Sequence, residues 1–208
     1  AASDVYKRQG IYQLNVLVDT IFASFLSTGS PTWLYLSDRL IQFPMGLFGV
    51  AIALVALPDM TELYIKKDSK NFNKTFLRGS LSTLLLGLET MIFYLFFSAE
   101  IISLLFERGE FQEFDVAMTS ASLVAYAYAL PFLLNSKFFN SIFFATSKTK
   151  FVLLLGIVSL FINLLLNYLF IFIFGMGHVG LALATTCAAL IVWLLSIIFL
   201  IYLRKSLA

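Results

Sequence analysis

Long apolar runs separated by short polar stretches set the pattern of this chain. Six such runs cover about residues 9–26, 33–58, 76–106, 116–145, 151–174 and 179–203. Each is continuous rather than alternating, and a helix needs ~20 apolar residues to cross ~30 Å of hydrocarbon. Strands of a membrane barrel would instead alternate apolar and polar positions over about ten residues. The pattern predicts an all-α membrane protein, a bundle of six transmembrane helices. Pro44 in the second run and Pro131 in the fourth each remove a backbone donor and predict a kink. Between the second and third runs, the polar stretch Asp59–Thr75 carries Leu63 and Phe72 and predicts a helix resting at the membrane interface. Residues 1–8 show no pattern and are read as a tail or linker. The abrupt ends lead us to expect a piece of a longer protein.

Composition sharpens the class. Of 208 residues, 60% are hydrophobic and 12% charged, with a mean hydropathy of +0.92. A soluble domain averages about 25% charged residues, so this chain cannot cover its surface with charge. The single cysteine, Cys187, has no partner for a disulfide or a thiolate metal site, and the one histidine, His178, excludes a multi-histidine centre. No nucleophile has an activating base at a fixed spacing, so we expect no enzyme. The pI near 8.7 reflects loop lysines, and we expect no nucleic-acid partner.

The basic residues also set an orientation. Of the 14 Lys and Arg, Arg39 and Lys137 lie within runs, and only Arg108 lies in the turns on one side. The others, among them Lys7, Arg8, Lys66, Lys70, Lys148, Lys150, Arg204 and Lys205, gather on the other side. Short cytoplasmic loops attract Lys and Arg, so both ends are expected in the cytoplasm.

Polar residues at membrane depth are the candidate chemistry. Asn15 and Asp19 are four apart and share a helix face, as do Ser159, Asn163 and Asn167. At ~1.5 Å per residue, Asp19, Asn163, Asn167 and Thr185 fall at similar depth. A carboxylate with amide and hydroxyl oxygens suits a hard cation such as Na⁺, and a lone carboxylate suits a proton. The alternative is that the Asn and Thr side chains simply tie helices together. In the second run, Arg39 lies beside Asp38 and shares with Gln42, Gly46 and Gly49 a polar and small face. Arginine is the forked donor suited to phosphate, and a charge in hydrocarbon costs at least roughly 2.5–3.5 kcal/mol unless it meets water or a partner. Arg39 therefore either lines a watery cavity or closes a structural pair with Asp38 or Glu89. Glu89, near the middle of the third run, has the same two readings, and Lys137 is expected to snorkel.

Taken together, QLNVLVDTIFASFL (Gln13–Leu26), LSDRLIQFPMGLFGVAIALVALP (Leu36–Pro58), LLFERGEF (Leu104–Phe111), YALPFLL (Tyr128–Leu134), NLLLN (Asn163–Asn167) and GHVGLALATT (Gly177–Thr186) resemble the MurJ/MviN lipid II flippase family. That family belongs to the multidrug/oligosaccharidyl-lipid/polysaccharide (MOP) exporter superfamily. The chain is similar to the carboxyl-side six-helix half of such a protein. The resemblance implies alternating-access movement of an undecaprenyl-pyrophosphate-linked disaccharide-pentapeptide across the bacterial cytoplasmic membrane for peptidoglycan synthesis. It implies an ion gradient or membrane potential as the drive, no cofactor beyond a coupling Na⁺, and an amino-side half as partner along with the lipids. Arg39, with Asp38 and Gln42, would meet the pyrophosphate. Asp19, Asn163, Asn167, the backbone of Leu181, and Thr185 would form a sodium site, and Glu89 a cavity acid. The chain departs from the resemblance at Asn167, where members of the family carry an acidic residue, which implies a weaker hold on a cation. Three alternatives stand beside this reading: an exporter of another polyprenyl-linked glycan, a cation-coupled multidrug antiporter, and a bundle with no transport activity.

Overall fold

A computed structural model describes the backbone of residues 2–205 and the side chains of residues 13–202. The helices are α1 (Ala2–Ser24), α2 (Ser30–Ile65), α3 (Ser69–Phe106), α4 (Glu113–Ala127), α5 (Leu130–Ala145), α6 (Thr149–Tyr168) and α7 (Gly177–Lys205). A π-helical turn, Leu169–Ile173, extends α6. No strand occurs among the described residues. The side chains of the expected tail over 1–8, and those of Arg204 and Lys205, lie outside them. Helices α2, α3, α6 with its π turn, and α7 are each long and apolar enough to span a bilayer, and α4 with α5 makes a bent fifth candidate.

Two sequence expectations change. The polar stretch after Pro58 is not a separate interfacial helix. Its first part continues α2 to Ile65, and its second part opens α3 at Ser69. Between them the chain turns through Lys67 at φ 54°, and the Asp68 carboxylate caps α3 by accepting from the Asn71 amide at 3.0 Å. A helix start with such a cap is stable where it stands, so the polar run divides at Asp68. The fourth run is also not one helix: α4 and α5 meet at 44°, with Pro131 in the first turn of α5. Proline is well tolerated at a helix start, where its missing N–H has no partner to lose.

Pro44 behaves differently, because α2 runs through it without interruption. A proline leaves the carbonyl four residues earlier without its helical donor. Here that carbonyl is Leu40 O, and the Tyr94 hydroxyl of α3 donates to it at 2.7 Å. The break between α4 and α5 is served in the same way. The Ala129 amide bonds to Tyr126 O rather than Ala125 O, and the Thr186 hydroxyl of α7 donates to Ala125 O at 2.7 Å. Hydrocarbon offers no water, so a carbonyl freed within it must find a donor in the protein.

Helix α5 packs between α2 and α3, α4 lies against α2, α3 and α7, and α1 packs mainly on α6, which packs on α7. The core forms two clusters. One gathers Leu34, Ile41, Ile102, Leu123, Leu130 and Leu181, and the other Met60, Phe72, Phe139, Phe143 and Leu200. On α5, the buried Asn135 falls between them. Its amide donates to Ser80 O and Thr83 Oγ1, both at 2.8 Å, and its Oδ1 accepts from Trp193 Nε1 at 2.7 Å, joining α3, α5 and α7. Nearby, α3 approaches the α5 start so closely that a Cβ on Gly87 would lie 2.4 Å from Pro131 Cα. Only glycine fits there.

Tyr94→Phe removes the hydroxyl and leaves Leu40 O unpaired, at an expected cost of about 1 kcal/mol in thermal unfolding. The same change in a Pro44→Ala background, where the replacement residue supplies its own N–H, is expected to cost measurably less. Equal losses in both backgrounds would contradict the pairing.

Candidate functional site

The polar residues at depth fall into two groups. The first lies where α1, α6 and α7 meet. On α1, Asn15 and Asp19 share one face at a spacing of four, and on α6 Asn163 and Asn167 repeat that spacing. The α6 pair is buried, Asn167 completely. Asn167 Nδ2 donates to Asp19 Oδ1 at 2.7 Å and to Asn163 Oδ1 at 3.0 Å. Asn163 Nδ2 in turn donates to Thr185 Oγ1 at 3.1 Å, and Thr185 Oγ1 donates to Leu181 O at 3.3 Å. The five residues Asp19, Asn163, Asn167, Leu181 and Thr185 thus form one hydrogen-bonded chain across three helices. Two amide oxygens beside it, Asn167 Oδ1 and Asn15 Oδ1, are buried and accept no hydrogen bond.

Local backbone fixes this arrangement. The π turn begins at Leu169, two residues beyond Asn167, and the following loop turns through Gly175 at φ 64° into α7. π turns inside helices often accompany functional positions. Gly180 lets α7 close on that turn, since a Cβ there would lie 3.1 Å from Phe170 Cβ. Leu181 and Thr185 follow on the face that meets α6.

As a donor set, one carboxylate with amide, hydroxyl and backbone oxygens fits a monovalent hard cation. Among the described residues no three of His, Cys, Asp and Glu converge, so the set does not resemble a transition-metal or divalent cage.

The second group is on α2. Gln42 Nε2 donates to the Asp38 carboxylate, and Arg39 Nη1 donates to Gln42 Oε1 at 3.3 Å. The guanidinium also sits 4.9 Å from the centroid of the Tyr35 ring, a cation–π contact. Arg39 and Tyr35 are exposed, on a face continued by the open Gly46. The Lys137 stem crosses α2 at Gly49, 3.6 Å from a Cβ built there, so its cation lies on the same side of α2 as Gly49. Glu89 is exposed on α3 and makes no hydrogen bond among the described residues, so it does not join the α2 group.

Sequence reading missed two features, and one residue that it singled out stands apart. Tyr35 carries no spacing signal beyond its place one turn before Arg39. Ser159, placed on the Asn163–Asn167 stripe, takes no part in the network. At one end of the bundle, Trp33 Nε1 donates to Asp115 Oδ1 at 2.8 Å, His178 meets the Trp33 ring at 5.0 Å, and a His178 nitrogen lies 3.2 Å from Met118 O. These contacts join the starts of α2, α4 and α7, and nothing in their separate segments announces them.

Comparison with known proteins places these elements in a family. Residues 7–208 match the family model described as "Lipid II flippase MurJ". A probable lipid II flippase MurJ from Vibrio cholerae is 38% identical over 179 residues, covering 86% of this chain and 34% of that protein. One from Haemophilus influenzae is 36% identical over 185 residues, covering 86% of this chain and 36% of its own length. A solved structure described as lipid II flippase MurJ in an inward closed conformation superposes with a TM-score of 0.82 at 28% identity, over 93% of this chain and 40% of that one. A MATE transporter in its straight conformation superposes at 0.79 with 18% identity, over 97% of this chain and 44% of that one, a likeness of fold. The chain spans about a third of the length of the curated relatives it matches. It is a multi-pass membrane protein, and by the match over nearly its whole length it belongs to the lipid II flippase MurJ family.

Proposed function

We propose that this chain is the carboxyl-side half of a lipid II flippase and that its α2 face receives the substrate's pyrophosphate. The observation that carries the reading is the Arg39 guanidinium, exposed on α2 and steered by Gln42 and Tyr35. A guanidinium at membrane depth needs water, a partner or an anion. Its planar fork suits two phosphate oxygens at once. Asp38 orients Gln42, and Gln42 in turn holds one arm of the fork on the exposed face of α2. The work is binding and release on alternate sides of the membrane rather than bond chemistry.

The amino-side half would complete the cavity that faces α2, and the polyprenyl tail would run along apolar helix faces. Drive comes from the α1–α6–α7 site, where a monovalent cation couples to movement of the helices that hold it. Asp19, Asn163, Asn167, Thr185 and the Leu181 carbonyl are the residues that would hold Na⁺, with Glu89 as a separate acid open to the cavity. The loop lysines orient both ends to the cytoplasm of a bacterial inner membrane.

In the full-length flippase, Arg39→Ala is expected to weaken pyrophosphate binding by about 2 kcal/mol, roughly thirty-fold, and to fail in complementing depletion of the cell's own flippase. Accumulation of the lipid-linked precursor reports the same loss. Normal growth with Arg39→Ala would reject the role of this residue. For orientation, single cysteines introduced in a Cys187→Ala background read the side of each loop. Glu110→Cys is expected to react with an impermeant maleimide on intact cells, and Lys148→Cys only after permeabilisation. The reverse pattern would overturn the orientation.

A further inference from the structure

In the α1–α6–α7 site, one oxygen from each of Asp19, Asn163, Thr185 and Leu181 already deals with a protein hydrogen. Asp19 Oδ1 and Asn163 Oδ1 both receive the Asn167 amide hydrogens, at 2.7 and 3.0 Å. Thr185 Oγ1 receives the Asn163 amide, and Leu181 O receives the Thr185 hydroxyl. The Asn167 NH₂ group, with both hydrogens engaged, lies between the two strongest acceptors of the set. A cation drawn to those acceptors would need the same place.

The orientation of that amide is fixed by its neighbours. While Asp19 is ionised its carboxylate can only accept, so the group bonded to Asp19 Oδ1 is then the nitrogen of Asn167. The cost falls on the other end, because Asn167 Oδ1 is buried and unpaired. Turning the amide over would exchange the two atoms. It would set Oδ1 among the Asp19 and Asn163 oxygens, which repel one another unless a positive charge sits between them. The amide nitrogen and a cation are therefore mutually exclusive occupants, and the turned amide is itself a ligand.

Asn15 adds to this. α1 and α6 run in the same direction, and the Asp19–Asn167 bond fixes their register, so Asn15, one turn earlier, comes level with Asn163. Its Oδ1 is also buried without a donor. The site thus holds two oxygens more than its hydrogens satisfy, one of them available only when Asn167 turns.

We infer that Asn167 is a built-in stand-in for the coupling cation: its NH₂ holds Asp19 and Asn163 together, and a monovalent alkali cation enters only by turning that amide, with Asn15 Oδ1 as a further ligand. The inference rests on the reading of this network as an ion site. It makes Asn167 the residue that sets how strongly the protein depends on the ion. A network satisfied by its own amide keeps its packing in sodium-free medium, and the cation must compete with an internal hydrogen-bond donor.

The test measures thermal unfolding of the full chain in detergent, followed by tryptophan fluorescence, as NaCl replaces choline chloride at constant ionic strength. Wild type is expected to melt at nearly the same temperature in both salts. Asn167→Asp removes the donor and adds a charge, so it is expected to melt lower in choline and to be restored by sodium. Its apparent Kd for sodium should be at least about tenfold lower than wild type, since ligand charge count tunes affinity. If Asn167→Asp does not accumulate, Asn167→Ser, which also lacks the NH₂ group, is expected to show the same lowered melting and sodium rescue. Asn15→Leu in the Asn167→Asp background should raise the apparent Kd. A sodium response in wild type as large as in Asn167→Asp would overturn the stand-in while leaving the ion site in place. No response to sodium, lithium or potassium in any variant would overturn the ion site and the stand-in together.

Discussion

Inside a bilayer no polar group can turn to water, and the described part of this bundle is organised by that rule. Where Pro44 frees a carbonyl in α2, a tyrosine from α3 supplies the missing donor. Where α4 breaks from α5, a threonine from α7 does so. Where Asp19 stands on α1, an amide from α6 meets it. Each solution comes from a different helix, so satisfying the backbone and side chains also fixes which helices lie together.

The two polar groups meet the rule in opposite ways. In the α1–α6–α7 network almost all hydrogens are spent internally, and two buried oxygens, of Asn15 and Asn167, accept no hydrogen bond. On α2 the exposed Arg39 has Gln42 and the Tyr35 ring beside its guanidinium. A closed network suits a small ion that fits among helices.

Much of this was legible in the chain. Apolar runs mark the helices, and the four-residue spacing of Asn163 and Asn167, with Asp19 at similar depth, points to the residues of the network. The spacing works because a helix repeats its face every turn. The breaks were less legible. Pro58 looked like an end, yet α2 passes through it, because the helix resumes its bonds beyond a single missing donor. Asp68 was the true boundary, marked only by its capping bond. Asn135 with Trp193, and Trp33 with Asp115, bridge residues 58 and 82 apart, and no local periodicity reports such pairs. The idle oxygens of Asn15 and Asn167 were equally invisible, since an asparagine's two ends look alike until its partners are known.

The claim that most of this rests on is that Asp19 and Asn167 are bonded partners holding α1 to α6. A double-mutant cycle on unfolding free energy, with Asp19→Ala, Asn167→Ala and both together, measures that bond directly. The account predicts a favourable coupling of about 1.5–3 kcal/mol, as for a hydrogen bond to a charged group. Effects that add to within about 0.5 kcal/mol would contradict it.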